Sequence, residues 1–291
     1  MRKGITVRAF SNSVDFLGDT GFLNSVDDFR RVFAAAREHG LEGVQLYTEI
    51  ESGFLSLKTD TKVLKEIGRA ATESGITLPS LEIAPLQYSV TSDDPAERRR
   101  GVEVARRGLE MAAELGSCGI LFIPGYVGLP WDKSAAPVNY EDAYHRTAEA
   151  LSQLGEHAGK LGMAVHLENI WNMFLLSPLE MRSLIDQVGS PHVGVLLDVG
   201  NCVQFGFPEQ WIKILGPRIR EVHLKDFRRA VGTIEGFVPL LSGDVNWPQV
   251  MAALREVGYE GFLIPEVFPY ASYGDMALDH TAKTLERLLE S

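Results

Sequence analysis

The sequence contains little cysteine and no long apolar run. Of its 291 residues two are cysteines, Cys118 and Cys202, and they form no CxxC motif or disulfide framework. This usage is typical of a reducing compartment. No stretch approaches the roughly 20 apolar residues of a membrane-spanning helix. The opening segment MRKGITVRAF lacks the apolar core and cleavage site of a signal peptide. We therefore expect a cytoplasmic protein that has no membrane partner.

The sequence also contains fewer basic residues than acidic ones. Lys and Arg number 28 against 39 Asp and Glu, which gives a formal net charge of −11. A nucleic-acid groove needs a basic footprint, so this balance argues against a nucleic-acid partner and fits an enzyme that binds a cation. Hydrophobic residues make up 45% and charged residues 23% of the chain, an ordinary globular composition. No low-complexity segment or linker is evident, so residues 1–291 are expected to form one domain.

Short apolar runs alternate with longer amphipathic segments along the whole chain. Segments such as TKVLKEIGRAATESG have helical periodicity and end at glycine, a common helix terminus. Near-continuous apolar strands that alternate with helices predict a parallel sheet covered by helices. Eight such units favour an α/β fold, a (β/α)8 TIM barrel, over an open doubly wound sheet. The absence of a GxGxxG motif after the first strand weakens a dinucleotide-binding form of that open sheet. The predicted strands are residues 5–10, 43–47, 78–83, 120–124, 164–168, 194–198, 220–224 and 262–267.

Four side chains that can bind metals stand at the ends of the last four predicted strands. They are Glu168 in VHLEN, Asp198 in LLDVGN, His223 in VHLKDF and Glu266 in LIPEV. Alternate strand residues face the same side, which turns His223 and Glu266 inward. The run GVLL before Asp198 has no clear alternation and leaves its direction open. Barrel enzymes place their active sites at the carboxyl ends of the strands, and three carboxylates with one imidazole suit a divalent cation.

This set of groups suits chemistry next to a carbonyl. A bound cation acts as a Lewis acid and stabilises the enediolate that forms when a neighbouring proton is removed. Two carboxylates on opposite sides of the substrate can remove and return a proton. Return to the opposite face of the same carbon gives epimerisation, and return to the adjacent carbon gives aldose–ketose isomerisation. The residues do not decide between these outcomes.

The motifs HLENIWNMFLLSP, LLDVGN, WIKILGPRIREVHLKDF and SGDVNW resemble those of the xylose isomerase-like barrel superfamily, in particular its sugar and sugar-phosphate isomerase and epimerase branch. The resemblance covers nearly the whole chain. It implies that Glu168, Asp198, His223 and Glu266 bind one divalent metal, Mn²⁺ ahead of Mg²⁺, Co²⁺ or Zn²⁺. It also implies that Glu168 and Glu266 form the catalytic acid–base pair. A small carbohydrate substrate and a homo-oligomer, either a dimer or a tetramer, are further expectations from the resemblance.

Two departures from the sugar epimerase pattern bear on the substrate. Asn201 stands where those enzymes commonly have a histidine that contacts the substrate, and the stretch from Asn172 carries no acid where they have a second glutamate. Asn201 and Asn172 are nevertheless candidates for substrate binding. Both departures favour a phosphorylated or otherwise modified sugar. The resemblance assigns a substrate contact to Arg229, and Lys225 extends the basic cluster. Such a cluster can bind phosphate, although a solvated charged loop is the alternative.

Further candidates for substrate binding follow other strands. Trp131 follows the fourth strand, Glu49 and Glu82 stand at or near the ends of the second and third strands, and each can contact a sugar. A subunit contact is the alternative for Trp131, and an ordinary loop acid is the alternative for the two glutamates. A long loop, residues 228–245, follows the seventh strand and is predicted to cover the site or contact the substrate.

Other functions can use part of the same pattern. A metal-dependent dehydratase of an inositol derivative or a dehydroshikimate-like substrate would share the ligands and the proton abstraction, and would then expel a hydroxyl. A non-catalytic sugar-binding barrel is disfavoured, because loss of function usually erodes a site and all four ligands are present. A DNA-repair endonuclease of this superfamily would need histidines on early strands, where the sequence has GVQLY, SLEIA and LFIPG.

Overall fold

Eight parallel strands close into a barrel in the computed structural model, which describes residues 1–11 and 21–290. Each strand is hydrogen-bonded to the next along the chain, and the last pairs with the first. This architecture confirms the predicted (β/α)8 TIM barrel. The strands are β1 (Arg2–Thr6), β2 (Gly43–Thr48), β3 (Leu81–Ile83), β4 (Gly119–Phe122), β5 (Ala164–Glu168), β6 (Val193–Asp198), β7 (Ile219–Leu224) and β8 (Phe262–Pro265).

Helices connect the strands, and their ends follow local sequence signals. The longest begins after Asn139, whose side chain accepts a hydrogen bond from the Asp142 amide, and ends at Gly162 with φ 67°. The side chain satisfies an amide that a helix start leaves free, and glycine adopts the left-handed backbone without strain. In the described ranges, no helix has both the length and the apolar character that crossing a membrane requires. The helices are α1 (Val26–Glu38), α2 (Thr61–Glu73), α3 (Pro95–Leu115), α4 (Tyr140–Leu161), α5 (Pro178–Val188), α6 (Val199–Val203), α7 (Pro208–Leu215), α8 (Trp247–Glu256) and α9 (Asp275–Glu290).

The strands are buried on both faces, which explains their near-continuous apolar sequences. Every residue of β2 and of β6 is buried. Burial of this kind is expected when helices cover the outside of a parallel barrel. Polar side chains also lie inside: Gln45 of β2 donates a hydrogen bond to Glu221 of β7 across the barrel. The interior below the barrel mouth is therefore partly polar.

The first strand ends earlier than the sequence predicted. β1 stops at Thr6, and Val7–Phe10 forms a 3₁₀ helix, whereas a strand was predicted over residues 5–10. The turn carries Arg8 to the barrel mouth, where it forms a buried ion pair with Glu82, the middle residue of β3. This long-range ion pair accounts for the departure from the local apolar pattern.

The long loop after β7 is an ordered segment with its own hydrogen bonds. Asp226–Phe227 pairs with Phe237–Val238 as an antiparallel ribbon, and the 3₁₀ helix Ile234–Gly236 lies between them. The Asp226 carboxylate holds the far end of the loop. It accepts hydrogen bonds from the amides of Phe227, Gly243 and Val245 and from the indole of Trp247. The helix α8 begins directly after this loop, where the Asn246 side chain accepts a hydrogen bond from the Gln249 amide and caps the helix.

Candidate metal centre

The four predicted metal ligands lie together at the carboxyl ends of β5 to β8. Glu168 and Asp198 are the last residues of their strands, His223 lies near the end of β7, and Glu266 directly follows β8. One ligand atom of each lies within 4.8 Å of those of the other three. Strand register explains this convergence: Asp198 pairs with His223, and His223 pairs with Ile264, two residues before Glu266. Asp198, whose direction the sequence left open, therefore faces the centre.

The ligand atoms surround the imidazole of His223. Its Nδ1 lies 3.4 Å from Glu168 Oε1 and 3.3 Å from Glu266 Oε2. Asp198 Oδ2 is 4.0 Å away. Among the described residues, these Glu168 and Asp198 oxygens and His223 Nδ1 are buried without a hydrogen-bond partner. Buried polar atoms are normally satisfied, so these are the atoms that a divalent cation would bind.

The charges at this end of the barrel also fit a divalent cation. More carboxylates than cationic side chains meet there, and nearly all of them are buried. Unpaired buried charge is costly, and two positive charges on a metal would balance the excess. The carboxylates belong to Glu82, Glu168, Asp198 and Glu266, and the cations to Arg8 and Lys225.

The two predicted acid–base glutamates have different electrostatic surroundings. Burial raises the pKa of Glu168 to about 7. Burial acts in the same direction on Glu266, but Lys225 and His223 outweigh it and hold the pKa of Glu266 well below its usual value. Burial would lower the pKa of His223, but Glu168 and Glu266 raise it well above its usual value. The centre therefore retains protons that a bound cation would replace.

A buried hydrogen-bonded chain below the centre orients His223. The Nε2 of His223 lies 3.0 Å from Gln45 Oε1. A carboxamide oxygen only accepts hydrogen bonds, so Nε2 carries the proton and Nδ1 faces the centre. Gln45 Nε2 donates to Glu221 at 3.2 Å. Glu221 also accepts from Ser80 at 3.0 Å and lies 2.7 Å from His166 Nδ1. Partners of this kind fix the tautomer and direction of metal-binding histidines.

Gln45→Leu should weaken metal binding by about 10- to 100-fold, because His223 loses the acceptor that fixes its tautomer. Calorimetric titration of the metal-free protein with Mn²⁺ measures the dissociation constant, and circular dichroism checks folding. Gln153→Leu, at an exposed position on α4, is the matched control and should bind Mn²⁺ as the wild type does. An unchanged dissociation constant in folded Gln45→Leu would show that Gln45 does not support the centre.

Two asparagines hold Asp198 in place. Asn169 accepts a hydrogen bond from the Asp198 amide at 2.9 Å and donates to its carbonyl oxygen at 3.0 Å. The Asp198 carboxylate accepts from the Asn201 amide at 2.9 Å, which caps α6. The Asn201 side chain donates to the Asn169 carbonyl oxygen at 2.8 Å. Asn201 thus has a structural partner, and its contact with a substrate stays a prediction. Asn169 was not predicted as part of the site, although it directly follows Glu168.

Arg8, which was not predicted from the sequence either, lies beside the centre. Its guanidinium forms an ion pair with Glu82, and the two side chains are 4% and 7% exposed. It also lies 4.8 Å from the centre of the Tyr47 ring and 4.0 Å from Glu266 Oε1. Arg8 therefore links Glu82, a predicted candidate for sugar contact, to one of the two catalytic candidates.

Lys225, predicted as a substrate ligand, contacts two of the candidate metal ligands. Its Nζ lies 2.7 Å from Glu266 Oε2 and 3.1 Å from Asp198 Oδ2. Burial would lower the pKa of Lys225, but these carboxylates raise it above its usual value. The ammonium also lies 5.4 Å from the centre of the Phe237 ring. Lys225 is thus a fixed positive charge at the edge of the centre, and its contact with a substrate stays a prediction.

Two other predicted substrate residues hold loops together at the barrel mouth. Arg229 donates to the carbonyl oxygens of Val203 at 2.8 Å and Gly206 at 3.0 Å. Asn172 donates to the Gly125 carbonyl oxygen at 2.7 Å. The bonds of Arg229 join the loop after β7 to the segment after β6. The bond of Asn172 joins the loops after β5 and β4. Direct contact of either side chain with a substrate stays a prediction.

Trp131 and Glu49 lie on loops at the rim of the barrel. Trp131 is 46% exposed in the connection between β4 and α4. Glu49 directly follows β2 and is partly buried. Burial, with Glu49 as a second cause, raises the pKa of the Tyr47 hydroxyl above its usual value. The assignment of Trp131 and Glu49 to the substrate is likewise untested by the geometry.

Known proteins of similar sequence include carbohydrate enzymes. Protein MJ1311 of Methanocaldococcus jannaschii is 24% identical over 232 residues, 78% of this chain and 74% of its own length. A ketose 3-epimerase of Arthrobacter globiformis is 23% identical over 239 residues, 80% of this chain and 75% of the epimerase. An inosose dehydratase of Bacillus thuringiensis is 28% identical over 159 residues, and this match spans 50% of this chain and 53% of the dehydratase.

A structural comparison and a family comparison show the fold and the family of the chain. The crystal structure of D-psicose 3-epimerase with D-tagatose from Clostridium cellulolyticum H10 superposes with a TM-score of 0.77. The superposition covers 100% of this chain and 99% of that chain at 16% identity, so it shows a shared fold. A family profile described as xylose isomerase-like TIM barrel matches residues 33–289. The chain therefore belongs to the xylose isomerase-like TIM barrel family.

Proposed function

We propose that the protein is a metal-dependent epimerase or isomerase of the ketose 3-epimerase type. The observation that carries this proposal is the convergence of Glu168 and Glu266 on a centre that Asp198 and His223 complete. The ketose 3-epimerase among its relatives supports a carbohydrate substrate. The expected cytoplasmic location and homo-oligomeric state remain predictions.

The four residues would hold a single divalent cation, for which we propose Mn²⁺. Mixed carboxylate and imidazole sets suit such a cation, and the unpartnered atoms of Glu168, Asp198 and His223 provide ligands for it. When bound, the metal polarises the substrate carbonyl and stabilises negative charge on its oxygen. Asp198 and His223 contribute only ligands, whereas the two glutamates also contact the reacting carbon.

Proton transfer is assigned to the pair Glu168 and Glu266. Glu168 ends β5 and Glu266 directly follows β8, with two strands between them, and we assign them to different sides of a bound substrate. One carboxylate removes the proton next to the carbonyl, and the other returns a proton to the opposite face. Lys225 and Arg8 contact Glu266 and hold its carboxylate in position. This exchange inverts one carbon of the sugar.

Whether the substrate carries a phosphate group is a separate part of the proposal. Lys225 already contacts two carboxylates, and Arg229 already donates to backbone carbonyl oxygens. We therefore propose an unphosphorylated keto sugar as the first substrate to test and the sugar phosphate as the second. A phosphate group would have to compete with the present partners of these two side chains.

A dehydratase is the second candidate function. The inosose dehydratase relative favours it, although the match spans about half of each chain. The same centre would remove the proton next to the carbonyl, after which a hydroxyl group would leave from the neighbouring carbon. The product would then be lighter than the substrate by one water.

Deuterium incorporation tests both candidates in one experiment. The Mn²⁺-loaded protein is incubated in D₂O with free and phosphorylated ketoses and with inosose, and products are followed by NMR and mass spectrometry. An epimerase should place deuterium on the carbon next to the carbonyl while preserving the elemental composition. A product that has lost water would favour the dehydratase. Neither exchange nor water loss in any substrate would contradict the proposed function.

A further inference from the structure

A cavity of about 710 Å³ opens beside the metal centre. Lys225 and Glu266 are among its lining residues, so it is continuous with the edge of the centre. From there it extends between the loop after β7, the segment after β8 and the helix α9. We call this space the α9 groove. Its volume falls in the range of about 300–1,000 Å³ that is typical of sites for drug-sized ligands.

The walls of the α9 groove are mainly apolar. The loop after β7 contributes Ile234, Phe237 and Leu240, and the segment after β8 contributes Val267 and Phe268. The opposite wall is one face of α9, where Ala277, Thr281 and Thr284 recur at helical spacing. Apolar walls favour an apolar ligand because burial removes apolar surface from water.

Charged side chains also line the α9 groove, at the metal centre, on α9 and on the loop after β7. At one end, Lys225 and Glu266 contact each other and belong to the metal centre. Along α9, His280, Lys283 and Arg287 are exposed to solvent. Glu235 is likewise exposed, and the Asp226 carboxylate binds the amides of its own loop. The other lining side chains outside the centre that are buried or partly buried are apolar or carry a hydroxyl group. A second sugar or a phosphate would need buried hydrogen-bond or charge partners there, whereas an alkyl or aromatic group needs none.

We propose that the α9 groove binds an apolar substituent of the substrate, so that the substrate class is a keto sugar bearing an aromatic or alkyl group. The proposal rests on the proposed function, because Glu266 lies at the edge of the groove and would also contact the reacting carbon. A sugar held at the centre directs a substituent on its far end into the groove. The substituent then excludes water from the side of Glu266 and Lys225.

Keto sugars that differ only in their substituent test this proposal. We compare fructose carrying a methyl or a benzyl ether at its terminal hydroxyl. The wild type should have a kcat/KM that is about tenfold or more higher for the benzyl compound, since even one methylene in an apolar pocket changes kcat/KM by roughly that factor. Equal kcat/KM values for the two ethers would overturn the proposal.

Variants that fill or polarise the α9 groove locate the effect. Thr284→Trp fills the α9 wall, and Leu240→Asn makes the opposite wall polar; both should bring the benzyl-to-methyl ratio of kcat/KM close to one. Met276→Trp is the matched control, because Met276 is 40% exposed on α9 and does not line the groove. This variant should keep the wild-type ratio. A wild-type ratio in both folded groove variants would assign the substituent to another surface.

Binding without reaction separates this inference from the proposed function. The benzyl-substituted sugar alcohol lacks the carbonyl and cannot react, and calorimetry measures its dissociation constant. Tight binding that Thr284→Trp weakens about tenfold, with no turnover of any ketose, would support the groove and contradict the proposed reaction. Turnover of fructose without any preference for the benzyl compound would support the reaction and contradict the groove.

Discussion

Glu266→Gln is expected to lower kcat by about 10²- to 10⁴-fold, the usual contribution of a positioned acid or base. The amide oxygen can still approach a metal, but it cannot take a proton from carbon. Glu266 lies 3.3 Å from His223 Nδ1 and 2.7 Å from Lys225 Nζ, so the replacement keeps the size of the side chain while removing its charge. Steady-state kinetics with the best ketose of the D₂O panel measures the effect, and calorimetry with Mn²⁺ shows whether metal binding survives.

A second Glu→Gln replacement close in sequence controls for the substitution itself. Glu260 is exposed before β8, outside the metal centre, so Glu260→Gln should retain the wild-type kcat. Deuterium exchange into the substrate should be lost in Glu266→Gln as well, because exchange requires removal of the same proton. If Glu266→Gln binds Mn²⁺ and turns over at a wild-type rate, Glu266 is not part of the acid–base pair.

Arg8→Met should lower the free energy of unfolding by about 3–5 kcal/mol, because it leaves the buried Glu82 carboxylate without its partner. Arg8 and Glu82 are 4% and 7% exposed, so solvent screens their interaction poorly. Methionine fills a similar length of chain, and the loss therefore reports mainly on charge. Urea unfolding followed by circular dichroism gives the free energy of unfolding of each variant.

Two further variants test whether the loss of stability in Arg8→Met comes from breaking the buried pair with Glu82. Adding Glu82→Gln to Arg8→Met should recover much of the lost stability, since no unpaired charge then remains between these positions. Arg218→Met breaks an ion pair with Asp186 whose side chains are 29% and 50% exposed, and it should cost no more than about 1 kcal/mol. Equal losses for Arg8→Met and Arg218→Met would show that the Arg8–Glu82 pair contributes no more than a surface contact.

The fold and the convergence of the four candidate metal ligands could be predicted because their signals are local. Each ligand ends a short apolar run, and parallel strands in a barrel bring their carboxyl ends to one face. Glu168 and His223 therefore meet although they are 55 positions apart in the sequence, as are their strand neighbours His166 and Glu221. The inward direction of Asp198 needed the strand register, in which it pairs with His223.

The residues that support the centre could not be predicted in the same way. Arg8 and Glu82 are 74 positions apart, and Gln45 and Glu221 are 176 apart. The sequence around each residue does not indicate which distant residue it will contact. Gln45 therefore cannot be distinguished by sequence from any other polar residue within a strand. Arg8 was further concealed by the apolar residues around it, which predicted a strand where the chain forms a 3₁₀ helix.

Two neighbouring residues of the HLKDF segment show why the role of a charged residue could not be predicted from its charge alone. Lys225 turns into the centre toward Asp198 and Glu266. Asp226, the next residue, turns away and holds the loop after β7 through Gly243 and other amides. The sequence predicted one basic cluster at this position, whereas the structure divides the segment between the metal centre and the loop.

The walls of the α9 groove have a consequence for how this chain can change over generations. Its apolar lining comes from the loop after β7, the segment after β8 and α9, and the residues that form it are not metal ligands. Substitutions there alter the shape offered to a substituent while the ligand atoms keep their positions on the strand ends. If the proposed reaction takes place at the centre, new substrate preferences can therefore arise by drift in one loop and one helix face, without passing through variants that have lost that reaction.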